Sequence, residues 1–155
     1  MYSISDDKLI YKWDLTSPTP SKLLELDSYP TDIDFPISKA LSDCFAIGFG
    51  DGSFKLVNKI GKVEKSVQEA HKGAVISVRW SSDGYSLMTA GEDGFIKIWS
   101  KTGYYDYYFN YIIFILGNLR SSFVQLESPI YCICWNPDNE QILYCSDKLI
   151  HIKPL

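Results

Sequence analysis

An imidazole, a hydroxyl, a carboxylate and an indole follow one another along one short stretch of this chain, as His71, Thr89, Asp93 and Trp99. Side chains of these types can do two kinds of chemistry. A carboxylate that orients an imidazole, which takes the proton of a hydroxyl, is a nucleophilic relay of the hydrolase kind. The same groups can also close a chain of hydrogen bonds. The carboxylate holds one ring N–H, the other ring nitrogen accepts from the hydroxyl, and the hydroxyl oxygen accepts from the indole N–H. The second arrangement engages the hydroxyl inside a sheet and leaves none at the mouth of a pocket. It is the reading favoured here, because the surrounding residues are strand-like.

Other chemistries find little support. His71 and His151 are the two histidines, there is no metal-spaced His pair, and no Gly-rich stretch could cradle a phosphate. Cys44, Cys132, Cys134 and Cys145 contain no Cys-x-x-Cys pair. They are expected as buried free thiols of a reducing compartment. The alternative is a zinc site built from Cys132 and Cys134 with Cys145 or His151. A net charge of −4, a pI near 5.1 and the lack of any basic run longer than two residues argue against a nucleic-acid surface. Residues 1–7 have neither the cationic leader nor the apolar run of a secretory signal. The expectation is a protein that binds other protein subunits, with no cofactor, no metal, no small-molecule substrate and no membrane span. At 155 residues, 46% apolar and 15% aromatic, there is material for about one domain with a core.

The elements that must position the four residues are short strands. Residues 74–80 alternate apolar with polar and end on Trp80, and Ser81-Ser82-Asp83-Gly84 is a turn. Residues 85–90 form a second run, Gly91-Glu92-Asp93-Gly94 a second turn, and residues 95–99 a third run. Asp-Gly between β-rich runs is a hairpin signal, because a tight turn needs positive φ. The pattern recurs. Asp7, Asp51, Asp93 and Asp147 each stand before a strand, at intervals of 44, 42 and 54 residues. Residues 1–14 repeat the second and third strands, with Ser3 four before Asp7 as Thr89 is four before Asp93, and with Trp13-Asp14 at the end. In the next unit Ile47 and Val57 replace the hydroxyl and the indole, and no His precedes it, so apolar packing must hold it.

Residues 70–100 resemble one unit of the WD-repeat family of β-propellers, through His71, Asp93 and Trp99-Ser100 where Trp-Asp is usual. The resemblance implies four-stranded blades at a stride of roughly 40–45 residues. It also implies that His71, Thr89, Asp93 and Trp99 form a structural hydrogen-bonded tetrad, with Ser3, Asp7 and Trp13 as a partial one. The implied fold is all-β, a partial propeller in an open arc of about four blades with the first and last incomplete. The units fall at about 1–27, 28–69, 70–126 and 127–155, with three, four, four and three strands. Such an arc leaves blade faces uncovered, so the chain is expected to behave as a marginal or aggregation-prone fragment. Closer likeness lies in residues 62–75, 91–103 and 128–155, above all Trp99-Ser100-Lys101-Thr102-Gly103 and Ile150-His151-Ile152-Lys153-Pro154-Leu155. These resemble the first propeller of a subunit of intraflagellar transport complex B. That implies a non-enzymatic scaffold of cilium and flagellum assembly, in cytoplasm, cilium and basal body. The alternative is an adaptor of another complex, of vesicle-coat or ubiquitin-ligase type. Candidate partner-contact loops carry Asp6, Asp51, Glu69, Lys72 and Glu92.

One stretch breaks the stride. Residues 104–117 hold five of the eleven tyrosines, and removing these 14 residues turns the Trp80-to-Trp135 interval of 55 into 41. Tyr, Phe, Ile, Asn and Leu have AT-rich codons, so a retained intron fits; the rival readings are a genuine loop or a membrane contact, though the stretch is too short to span a bilayer as a helix. Sequencing the transcript across Gly103 is expected to reveal a spliced message lacking these codons; uniform retention in mature message overturns the idea.

Overall fold

A computed structural model describes residues 1–37, 44–100, 126, 128–147 and 149–154. Among the described residues every regular element is a strand, and the strands form four antiparallel sheets in chain order. The first holds β1 (Tyr2–Ile4), β2 (Leu9–Lys12) and β3 (Ser21–Glu25). The second holds β4 (Pro30–Asp34), β5 (Cys44–Phe49), β6 (Phe54–Asn58) and β7 (Val63–Val67). The third holds β8 (Val75–Trp80), β9 (Ser86–Gly91) and β10 (Ile96–Ser100). The fourth holds β11 (Ile130–Trp135), β12 (Gln141–Ser146) and β13 (Leu149–Pro154). The segment 104–117 lies outside the described residues, as does the fourth strand expected of the unit 70–126. No helix among the described residues is long and apolar enough to cross a membrane.

The sheets stack face to face in an open arc, as a partial propeller. Both faces of an interior sheet are covered by a neighbour, and each layer between sheets holds a cluster of buried apolar side chains. Ile10, Leu26, Phe45, Ile47, Phe49 and Val57 fill the layer between the first and second sheets. There Tyr2 and Phe35 pack on Phe45 at ring-centroid distances of 5.5 and 4.7 Å. Ala46, Phe54 and Leu56 meet Val78, Trp80, Leu87 and Trp99 in the next layer. Met88, Ala90 and Ile96 meet Ile130, Ile133, Ile142 and Tyr144 in the third.

The repeat is exact at the level of register. The first strand of each of the last three sheets carries a bulge at the same place, after Pro30, Val75 and Ile130. Beyond it Asp32 pairs with Gly48, Ser77 with Ala90 and Cys132 with Cys145. Gly48, Ala90 and Cys145 are therefore one position, and their partners Phe54, Ile96 and Ile150 are another. The hairpin turns repeat too. A carboxylate oxygen of Asp7, Asp51 and Asp93 accepts the N–H two residues on, at 3.0, 2.9 and 3.2 Å. The residue between has positive φ in each case: Lys8 at 62°, Gly52 at 84° and Gly94 at 75°. Its carbonyl accepts the N–H of Leu26, His71 or Leu126 in the linker to the next sheet, at 2.8, 2.9 and 3.1 Å. One aspartate thus folds the hairpin, and the hairpin anchors the chain entering the next sheet.

The cysteines differ from expectation. No disulfide joins them, but Cys132 and Cys134 are exposed, and Cys44 and Cys145 half-buried. The reason is topological: Cys132 and Cys134 lie on the face of β11 opposite Ile133, which packs on the third sheet. Among the described residues no three His, Cys, Asp or Glu side chains group as a metal site.

Gly52 is required both by its φ and by space, since an added Cβ would lie 2.3 Å from the His71 carbonyl oxygen. Gly52→Ala is expected to lower unfolding free energy by at least ~1 kcal/mol. Gly50→Ala, whose Cβ would meet nothing closer than the Tyr29 carbonyl oxygen at 3.9 Å, should change it by no more than about 0.5 kcal/mol. Denaturant melts of the two variants check this; equal losses overturn it.

Candidate functional site

The turn geometry brings His71 over the third sheet. His71 lies in the linker held by the Gly52 carbonyl, Thr89 faces it from β9, Asp93 sits in the following turn, and Trp99 projects from β10. His71 Nδ1 is 2.9 Å from Asp93 Oδ1, and His71 Nε2 is 2.7 Å from Thr89 Oγ1. Trp99 Nε1 donates to the same Thr89 oxygen at 2.9 Å. The donors fix the proton positions. A carboxylate only accepts, so Nδ1 carries the hydrogen; the threonine oxygen receives the indole N–H and donates its own proton to Nε2. Burial holds the imidazole below its usual range, against the opposing pull of Asp93, so the ring is neutral. Burial raises the Asp93 carboxyl, but hydrogen bonds from His71 and from the Lys72 and Phe95 N–H groups together hold it below its usual range. Lys97, beside Thr89 in the ladder, donates to the Ala70 carbonyl oxygen and closes the linker from the other side.

The cluster admits no substrate. Thr89 is fully buried and His71 is 3% exposed. The Thr89 oxygen is engaged by two partners, and Phe54 of the second sheet caps Trp99 edge-on at 4.7 Å. A nucleophile needs an open approach for the reacting atom; this hydroxyl has none. Even Gly91 belongs to the packing, since a Cβ there would lie 2.5 Å from His71 Nδ1.

The partial set behaves differently. Trp13 Nε1 donates to Ser3 Oγ at 2.8 Å, repeating the Trp99–Thr89 pair, while Asp7 serves its turn through the Leu9 N–H. In the second sheet the register places Leu26, Ile47 and Val57 where the third has His71, Thr89 and Trp99. All three are buried together, and Asp51 keeps the turn by accepting from Ser53 N–H and Oγ. The fourth sheet has Tyr144 at the threonine position, with its ring stacked on His151 at 4.7 Å.

Asp6, Asp51, Glu69, Lys72 and Glu92 are all exposed, on the rim formed by the hairpin turns and the inter-sheet linkers. Asp51 and Glu92 hold the fold as well, since Glu92 Oε2 accepts the Ala74 N–H at 2.9 Å. Sequence reading passed over a second polar cluster. Asp32 Oδ2 accepts from Ser77 Oγ, the Val78 N–H and Arg79 Nη1, and Asp34 Oδ2 accepts the Trp80 N–H at 2.7 Å. Two carboxylates on β4 thus satisfy the free edge of β8. Burial raises the Asp34 carboxyl, against the Trp80 hydrogen bond and Arg79. The available signal was Asp32-Ile33-Asp34 in a strand whose companions are apolar.

Comparisons with known proteins follow the same lines. The family described as WD domain, G-beta repeat, matches residues 62–100 and 117–152. The intraflagellar transport protein 80 homologs of Mus musculus and Rattus norvegicus are each 42% identical over an alignment that takes in 100% of this chain and 19% of the relative. An F-box-like/WD repeat-containing protein, TBL1X of Mus musculus, is 28% identical over 80% of the chain and 24% of its own length. The chain thus spans about one fifth of the length of the first two relatives.

Because the folded imidazole binds its proton less readily than the unfolded one, the unfolded state takes up protons first as pH falls. The stability contributed by neutral His71 is full above about pH 6.5 and declines below it. His71→Leu, which leaves the buried Thr89 hydroxyl proton without an acceptor and takes the ring N–H from Asp93 Oδ1, is expected to cost about 1–3 kcal/mol at neutral pH. It should also flatten the fall in stability between about pH 7 and pH 5.5. Urea melts at the two pH values, with equal slopes in both proteins, would sink the assignment.

Proposed function

Because the chain belongs to the WD-repeat family, we propose that it is a non-enzymatic scaffold, one arc of a propeller within an intraflagellar transport particle of complex B type. The observation that carries this is the 42% identity to the intraflagellar transport protein 80 homologs along the whole chain. The geometry agrees with a scaffold. The residues resembling a catalytic relay are buried in the sheet stack, and the charged residues left free to meet partners, Asp6, Glu69 and Lys72, lie on one rim. Rigid sheets that present loops suit binding surfaces. Neighbouring subunits of the particle are the proposed partners, and the cilium or flagellum with its basal body the proposed site.

Tagging the protein at its own locus in a flagellated cell tests this. The expected result is signal along the flagellum and co-purification with other intraflagellar transport subunits. A purely cytoplasmic signal, with vesicle-coat or ubiquitin-ligase subunits in the eluate, overturns it.

A further inference from the structure

Three Ser-Pro or Thr-Pro dipeptides occur in this chain, and two of them share one loop. Ser17-Pro18-Thr19-Pro20 joins β2 to β3, whereas Ser128-Pro129 leads into β11. Residues 14–19 are all exposed, while Ser128 and Pro129 are half-buried. The β2–β3 loop holds residues 13–20, and its counterpart in the second sheet, between β6 and β7, only residues 59–62. The second sheet has a neighbour packed on each face, yet Lys59, Ile60 and Lys62 of that shorter loop are exposed. Exposure of 14–19 therefore follows from a place between the last two strands of a sheet, clear of the faces that neighbours cover.

Each proline fixes its own φ and pushes the residue before it to extended backbone. Ser17 and Thr19 are both in that position, and neither is followed by an N–H. An enzyme cleft that takes its substrate as an extended strand, and buries the next residue with nothing to receive an N–H, selects this pattern. The two hydroxyls differ. Ser17 Oγ donates to the Thr19 carbonyl oxygen at 3.1 Å and receives the Thr19 N–H at 3.4 Å. Among the described residues nothing bonds the Thr19 hydroxyl. Three residues after Thr19 stands Lys22, an exposed cation whose ammonium meets Glu25 on the same strand at 2.7 Å. Three residues after Ser17 stands Pro20, which offers no charge.

We propose that Thr19 is a phosphorylation site for a proline-directed serine/threonine kinase, with Ser17 as a slower second acceptor. Thr19 Oγ1 attacks the γ-phosphorus of ATP. The new O–P bond forms as the bond to the β–γ bridging oxygen breaks, ADP leaves, and the hydroxyl proton passes to a carboxylate of the kinase. Residues 12–22 carry Lys12, Asp14 and Lys22, a net charge of +1. One phosphate adds about −1.5 to −2 at neutral pH, so the loop changes sign. Lys22, the cation nearest to Thr19 along the chain, then has a phosphate to pair with in place of Glu25. No buried side chain lies in 14–19, so the sheets are left as they are.

Phosphopeptide mass spectrometry tests the proposal on the protein tagged at its own locus and purified from cells, with and without a serine/threonine phosphatase inhibitor. The expected result is phosphate on Thr19, at higher occupancy with the inhibitor. Pro20→Ala keeps the hydroxyl and restores the N–H after it, and should lower that occupancy at least about tenfold. Lys22→Ala should lower it by a smaller factor. Thr19 peptides that carry no phosphate under either condition overturn the proposal. So does phosphate on Thr19 undiminished in Pro20→Ala, or phosphate on Ser128 with Thr19 bare. The outcome does not depend on where in the cell the protein resides, so it can fail while the scaffold reading stands.

Discussion

Everything in this molecule depends on covering two apolar faces per sheet. A three- or four-stranded sheet of this size has no core of its own; its buried area exists only where the neighbouring sheet lies against it. The requirement is strict in register, because slipping a strand by one residue exchanges its two faces. The bulges after Pro30, Val75 and Ile130 re-phase the innermost strands alike. The aspartate turns then fix where the second strand gives way to the third. Once a turn is set, the positive-φ residue beside it offers a carbonyl to the next linker, and the same local geometry orients one sheet on another.

The second and third sheets fill the same packing position in two ways, one of them the polar tetrad. The third sheet fills it with His71, Thr89 and Trp99, the second with Leu26, Ile47 and Val57. A fully satisfied buried network and an apolar filling of similar volume can be close in free energy, while a half-satisfied network is worse than either. In the second and third sheets the three residues accordingly differ as a set, all apolar in one and all hydrogen-bonded in the other. Aspartate alone is common to both, because Asp51 and Asp93 also hold the backbone N–H groups of their turns, whatever stands at the other positions.

Legibility in the sequence followed the range of each interaction. The turns could be read because Asp7, Asp51 and Asp93 act on residues two positions away, and alternation placed the strands between them. The tetrad could be read because its four residue types have matching donors and acceptors. Leu26 at the position of His71 carried no marker, since one more leucine beside a strand says nothing about a turn carbonyl in the preceding sheet. The grip of Asp32 and Asp34 on β8 joins residues 45 to 47 positions apart, so local pattern could not reveal it. Cys132 and Cys134 were read as buried because alternation shows that a strand has two faces, and not whether a neighbour covers the second.

The same locality explains why a hydrolase-like set of residues has no open approach here. In a nucleophilic relay the hydroxyl proton must have somewhere to go as a new bond forms at the oxygen, and the oxygen must have a free approach. Thr89 receives the Trp99 N–H on one side and gives its proton to His71 on the other, beneath Phe54. Opening that approach means separating the second and third sheets, which removes the apolar burial that positions His71 in the first place. Stability and catalysis would make opposite demands on one layer of side chains, and in this layer the packing requirement prevails.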